Sequence, residues 1–157
     1  MTTFLKSSLM SLAIFALAGQ IPAHAEDERY SPVTNERAKA ECSACHMAYP
    51  AGLLPQNSWK ALMTSLPNHF GEDASLDEAV RQEIEDYLVA NALDANGRSS
   101  SNAKPGDAPM RISEMPWFVR EHGPRLIARA KADAKIGSIS NCAACHRGAE
   151  QGYFEDD

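Results

Sequence analysis

Apolar residues in this chain recur three and four positions apart, and no stretch alternates apolar with polar long enough to make a strand. The clearest stripe is Leu76, Val80, Ile84, Tyr87 and Leu88, which share one side of a helix. Ser75 and Glu78 have the spacing of a capping box at its start, and the pattern runs out near residues 91–93. Shorter helices are predicted over 35–41, with Thr34 or Asn35 as cap, and over 58–66, stopped by Pro67. Two more are predicted over 113–121, starting near Pro116 and carrying Trp117 and Phe118, and over 125–135. Residues 49–55, with Pro50, Gly52 and Pro55, read as a loop, and residues 97–109 (GRSSSNAKPGDAP) as a linker without apolar pattern. The expected fold class is mostly α, with large loops and little or no sheet.

Composition adds little to this picture, whereas charge and the first residues change it. A length of 157 residues, 44% hydrophobic and 23% charged, suits one globular domain or two small ones and excludes collagenous and disordered classes. A net charge of −6 argues against nucleic acid or an anionic membrane surface as partner, because both demand clustered Lys and Arg. Residues 1–25 read as a secretory signal peptide: Lys6 in a short positive start, an apolar run over 9–18, and Ala23-His24-Ala25 as a cleavage site before acidic residues. That run is well short of the roughly 20 residues that span a bilayer, so the processed chain is not expected to cross a membrane and is placed in the periplasm.

Export recasts the four cysteines. Outside the cytoplasm four Cys would ordinarily suggest two disulfides. Their spacing points elsewhere: Cys42-Ser43-Ala44-Cys45-His46 and Cys142-Ala143-Ala144-Cys145-His146 are both C-x-x-C-H, the attachment motif of c-type heme. Two thiols three residues apart can each add to a vinyl group of one porphyrin, and the following His then faces the iron as an axial ligand. A redox-active C-x-x-C needs no following His, and a zinc site of four Cys would leave His46 and His146 unexplained. Two covalently bound heme c groups, with their iron, are therefore the expected cofactors.

Once the leader is set aside, four His remain, and two irons have up to four axial positions. His46 and His146 follow the motifs. His69 lies in LPNHFG, 23 residues after His46, and His122 in VREHGP, 20 residues before Cys142. Each sits at a predicted helix end beside Pro or Gly, where a side chain is free of a helix stripe. Two-plus-two stoichiometry favours bis-histidine ligation, with Met63, Met110 or Met115 as the alternative ligands. Met63 fits a core position on the helix of Trp59 and Leu62 better. A carbonyl of the 49–55 loop is expected to orient the His46 ring. Arg111, Arg120, Arg125 and Arg147 are candidates to pair with heme propionates.

The runs CSACHMAYPAGLLPQNSW, LPNHFGEDASLD, SEMPWFVREH and NCAACHRGAEQG span most of residues 36–154, and they resemble the small dihaem cytochrome c family (DHC). The resemblance implies two heme-centred domains, 26–96 similar to class I cytochrome c and 110–157 less usual, joined by the linker 97–109. It also implies bis-histidine ligation, with His46 and His69 serving the first heme and His146 and His122 the second. Family members look like electron donors to a small oxygen-binding monoheme cytochrome c, the sphaeroides heme protein. A partner of that kind, another redox protein, or a membrane cytochrome is the expectation here.

Residues 26–96 carry 5 Lys/Arg against 13 Asp/Glu, whereas 110–157 carry 7 against 7, so the acidity lies in the first half, where it either steers a basic partner or simply solvates the surface. An iron with two protein ligands has no vacant position, which makes the expected function electron transfer and not catalysis. The other classes are a heme enzyme, such as a peroxidase or nitrogen-oxide reductase, and a ligand sensor, each with one displaceable His. A half of about 50 residues rarely builds a sufficient core from side chains alone. Heme-free protein is therefore expected to lack native packing. Circular dichroism and hydrogen exchange check this, and a natively protected apo-protein would contradict it.

Overall fold

The structure is a computed structural model, and it describes residues 29–97 and 109–155. The expected signal peptide and almost all of the linker lie outside the described residues. Four α-helices follow in order: α1 (Glu36–Cys42), α2 (Gln56–Thr64), α3 (Glu78–Ala90) and α4 (Pro116–Ala132). Short 3-10 turns at Ala51–Leu53, Leu66–Asn68, Ile112–Glu114, Cys142–Ala144 and Ala149–Gln151 connect them. The described residues contain no strand, only isolated antiparallel bridges at Arg29/Tyr153 and His69/Glu72. The mostly α expectation therefore holds.

Local chemistry explains where the helices begin and end, and where they depart from expectation. Asn35 caps α1, its side-chain oxygen accepting from the Ala38 N–H at 2.8 Å. Helix α2 starts directly after Pro55, two residues earlier than predicted, and ends at Thr64, with a 3-10 turn carrying the chain through Pro67. The capping box is not formed. Both the N–H and the hydroxyl of Ser75 bond to the Asp73 carboxylate, at 2.9 and 2.5 Å, so a local turn takes the serine and α3 starts three residues later. Glu78 instead pairs with Arg81, which also reaches Glu85 one turn on. The two predicted helices near the C-terminus are one element, α4, bent at Gly123 (φ 61°, ψ 159°). Pro124 disfavours helical geometry in the residue before it, and glycine takes the positive φ without steric cost.

Helix α2 packs mainly against α3. The core formed by Trp59, Leu62, Met63, Ile84 and Leu88 continues into Met115 and Phe118 from beyond the linker. Leu53, Leu54, Pro50 and Pro55 make the 49–55 loop one of the most buried parts of the chain. Two of its carbonyls make longer-range bonds: Ala51 accepts from Trp59 Nε1 at 2.7 Å, and Leu54 from the Leu93 N–H at 2.9 Å. The two ends of the described chain meet as well. The Tyr30 N–H donates to the Gly152 carbonyl at 2.9 Å, and a Cβ at Gly152 (φ 82°) would lie 1.9 Å from the Tyr30 oxygen.

Ile84 is fully buried on α3 and Lys60 is exposed on α2. In denaturant titrations of the holoprotein, Ile84→Ala should cost about 2–5 kcal/mol. Lys60→Ala should stay within about 0.5 kcal/mol. Equal effects would contradict this placement of the core.

Candidate functional site

The first C-x-x-C-H motif straddles the end of α1: Cys42 is its last residue, and Cys45 and His46 follow in the turn. His46 Nδ1 lies 2.7 Å from the Met47 carbonyl, so the proton sits on Nδ1 and the Nε2 lone pair is left free. This corrects the expectation that a carbonyl of the 49–55 loop orients the ring. The carbonyls of Pro50, Ala51, Leu54 and Pro55 accept from Trp59, Leu93 and the loop's own turns, and the peptide next to His46 serves the ring instead. The ring stacks on Tyr49, centroids 4.8 Å apart and planes at 25°.

His69 follows the Leu66–Asn68 turn, in a tight reversal closed by paired backbone bonds with Glu72 at 2.7 and 3.2 Å. Phe70 adopts a left-handed conformation (φ 56°), strained for an aromatic residue, which turns the chain sharply at this point. The Arg111 guanidinium, from beyond the linker, lies 3.8 Å over the Phe70 ring. The reversal brings His69 to His46, ring centroids 6.3 Å apart and planes at 30°. Burial, then the neighbouring His46 and Arg111, hold the His69 pKa below its ordinary value, which favours the neutral ring a metal requires. Its Nδ1 is buried with no protein partner.

The second motif is wound more tightly. Cys142 opens a 3-10 turn, Cys145 closes it, and the His146 N–H returns to the Cys142 carbonyl at 2.8 Å. His146 packs edge-on against Phe154 at 5.6 Å. His122 lies on α4 immediately before the Gly123 bend. It stacks on Phe118, one turn earlier, at 3.9 Å and 11°, and its Nδ1 is 3.0 Å from the Phe118 carbonyl. One residue thus fixes both the plane of this ring and its proton. His122 and His146 have ring centroids 6.0 Å apart, planes at 83°.

The donor set fits the group that the motifs imply. An imidazole nitrogen sits about 2 Å from a bound metal, so two rings sharing one ion have centres about 6 Å apart. Both His pairs have that separation. The four cysteines are unpaired thiols, with Cys45 and Cys145 exposed. Burial, then Glu41, raises the Cys42 thiol, and burial, partly offset by its own backbone N–H, pushes Cys142 up to about 11. A redox-active pair needs a lowered thiol, so this is the wrong direction for that chemistry. Among the described residues no group of three or more His, Cys, Asp or Glu gathers as a metal cluster, which leaves the zinc reading without support. Met63 and Met115 are buried in the core, and Met110 is exposed beside Phe70.

Of the arginines considered for propionates, Arg111 pairs with Glu114 at 3.6 Å and Arg120 with Glu121 at 2.9 Å. Sequence reasoning missed Tyr49, Phe70, Phe118 and Phe154, the aromatic residues against the histidines. The signal for Phe118 was present, four positions before His122 on one helix face. Tyr49 reaches further, its hydroxyl donating to the Ser140 carbonyl at 2.7 Å across 91 residues. Burial, then nearby Cys142, pushes this phenol up to about 12 and keeps it a donor.

A family model described as dihaem cytochrome c matches residues 38–154. Solved structures are similar over nearly the same span. A diheme cytochrome c from Rhodobacter sphaeroides is 58% identical, covering 79% of this chain and 99% of that one, with a TM-score of 0.69. DHC purified from Rhodobacter sphaeroides is 57% identical over 78% and 99%, TM-score 0.63. A diheme cytochrome c from Shewanella baltica is 41% identical over 77% and 87%, TM-score 0.64. No curated protein matches the chain.

Proposed function

The chain belongs to the dihaem cytochrome c family, whose two c-type hemes are its cofactors, and from that premise we propose that it is a periplasmic electron carrier with both hemes bis-histidine ligated. In this reading Cys42 and Cys45 hold the first heme and Cys142 and Cys145 the second. His46 with His69, and His146 with His122, supply the axial nitrogens. The observation that carries it is the separation of the two ring pairs, 6.3 and 6.0 Å, each matching the span across one iron. Bound heme supplies a one-electron iron couple.

The residues around each pair favour exchange of electrons over exchange of ligands. The Met47 and Phe118 carbonyls hold the Nδ1 protons of His46 and His122, which keeps Nε2 basic and the rings from turning. Tyr49 and Phe118 cover ring faces, so a ligand that left its iron would have to break a stack. No helix among the described residues is long and apolar enough to cross a membrane. The acidic first half suits a basic redox partner, a small oxygen-binding monoheme cytochrome c or a membrane cytochrome among them.

Holoprotein should show two six-coordinate low-spin hemes whose spectra do not change with carbon monoxide when reduced or with cyanide when oxidised. Binding of either ligand to one heme would favour an enzyme or a sensor instead. His69→Ala and His122→Ala should each turn one of the two hemes high-spin, about half the signal, and shift its midpoint potential. An unchanged spectrum in either variant would show that its distal ligand lies elsewhere.

A further inference from the structure

Two side-chain hydrogen bonds from the first half reach beyond its end, alike in length and unlike in position. Ser58 Oγ donates to the carbonyl of Pro109, the last linker residue, at 2.7 Å, and neither residue belongs to a motif. Tyr49 Oη donates to the Ser140 carbonyl, also at 2.7 Å, and connects one motif to the other. At one end of Tyr49 its ring lies on the His46 ring, 4.8 Å between centroids. At the other end, the Ser140 carbonyl that takes its proton also accepts from the Cys142 N–H at 3.0 Å and faces the Cys142 sulfur at 3.5 Å. An unbroken series of contacts therefore runs from the first axial histidine to the first cysteine of the second motif. The phenol cannot wander, because Pro50, Leu53, Leu54 and Pro55, which follow it directly, are among the most deeply buried residues.

We infer that Tyr49 is the positioning residue that joins the two heme-binding segments into one electron path, by stacking on His46 and hydrogen-bonding the peptide that leads into Cys142. The inference rests on the electron-carrier reading and deepens it. Packed rings, a hydrogen bond and a peptide couple two redox sites better than the same distance through solvent. In the step concerned, one electron leaves the reduced iron at one site and reduces the oxidised iron at the other. No bond is made or broken, and the Tyr49 phenol keeps its proton and its own electrons.

The test uses the full holoprotein, half-reduced, with NMR exchange spectroscopy on the heme methyl lines of the two sites. Midpoint potentials from the same samples allow rates to be compared at like driving force. Tyr49→Phe keeps the ring and removes only the hydroxyl, so exchange between the sites should slow several-fold while both visible spectra stay those of the wild type. Ser58→Ala removes the bond to the linker and should leave exchange unaltered. Unchanged exchange in Tyr49→Phe overturns the inference, as does equal slowing in Ser58→Ala, which would make the bond a generic strut. One high-spin heme in the wild type counts against bis-histidine ligation alone, since exchange between the sites is still read.

Discussion

An imidazole can hold an iron only when a ring nitrogen is deprotonated, aimed and kept there, and the bis-histidine ligation we propose makes that demand twice with few residues. Each pair of rings must stay about 6 Å apart while its members come from distant parts of the chain. His46 and His69 belong to different turns around α2, and His122 and His146 to α4 and the C-terminal turn. Much of the local structure reads as support for these two gaps. The Gly123 bend and the left-handed Phe70 stand immediately after His122 and His69, where an ordinary helix would carry the ring away. In the proposed ligation, the backbone strain at Phe70 and the interrupted helix at Gly123 serve to bring the rings of each pair together.

The supports are economical. Phe118 fills the core, stacks on His122 and accepts its proton, so one residue couples packing to ligand orientation. Tyr49 stacks on His46 and reaches the second motif. Neither half is sealed off from the other. Met115 and Phe118 share the core of the N-terminal helices, and Arg111 lies over Phe70 beside His69.

Sequence alone revealed the parts whose signal is local. The two C-x-x-C-H motifs depend on five adjacent residues, and the α3 stripe ending in Ile84 and Leu88 depends only on helical period. The capping box at Ser75 was misread because Asp73, two residues earlier, competes for the same hydroxyl and N–H. The acceptor for His46 was misread because the peptide of Met47, next to the ring, reaches Nδ1 first, while the Ala51 and Leu54 carbonyls serve Trp59 and Leu93, the latter nearly 40 positions away. The Tyr49–Ser140 bond crosses 91 residues and has no local pattern at all. Competition for hydrogen bonds and long-range closure are properties of the folded chain, and a period or a motif does not encode them.

The central claim is that two irons are each closed on both faces by histidine. Electron paramagnetic resonance of the fully oxidised holoprotein at low temperature tests it most directly. The account predicts only low-spin ferric signals, with the g-values of two imidazole ligands and not of histidine–methionine ligation, integrating to two spins per chain. A high-spin ferric signal integrating to one spin per chain would contradict it.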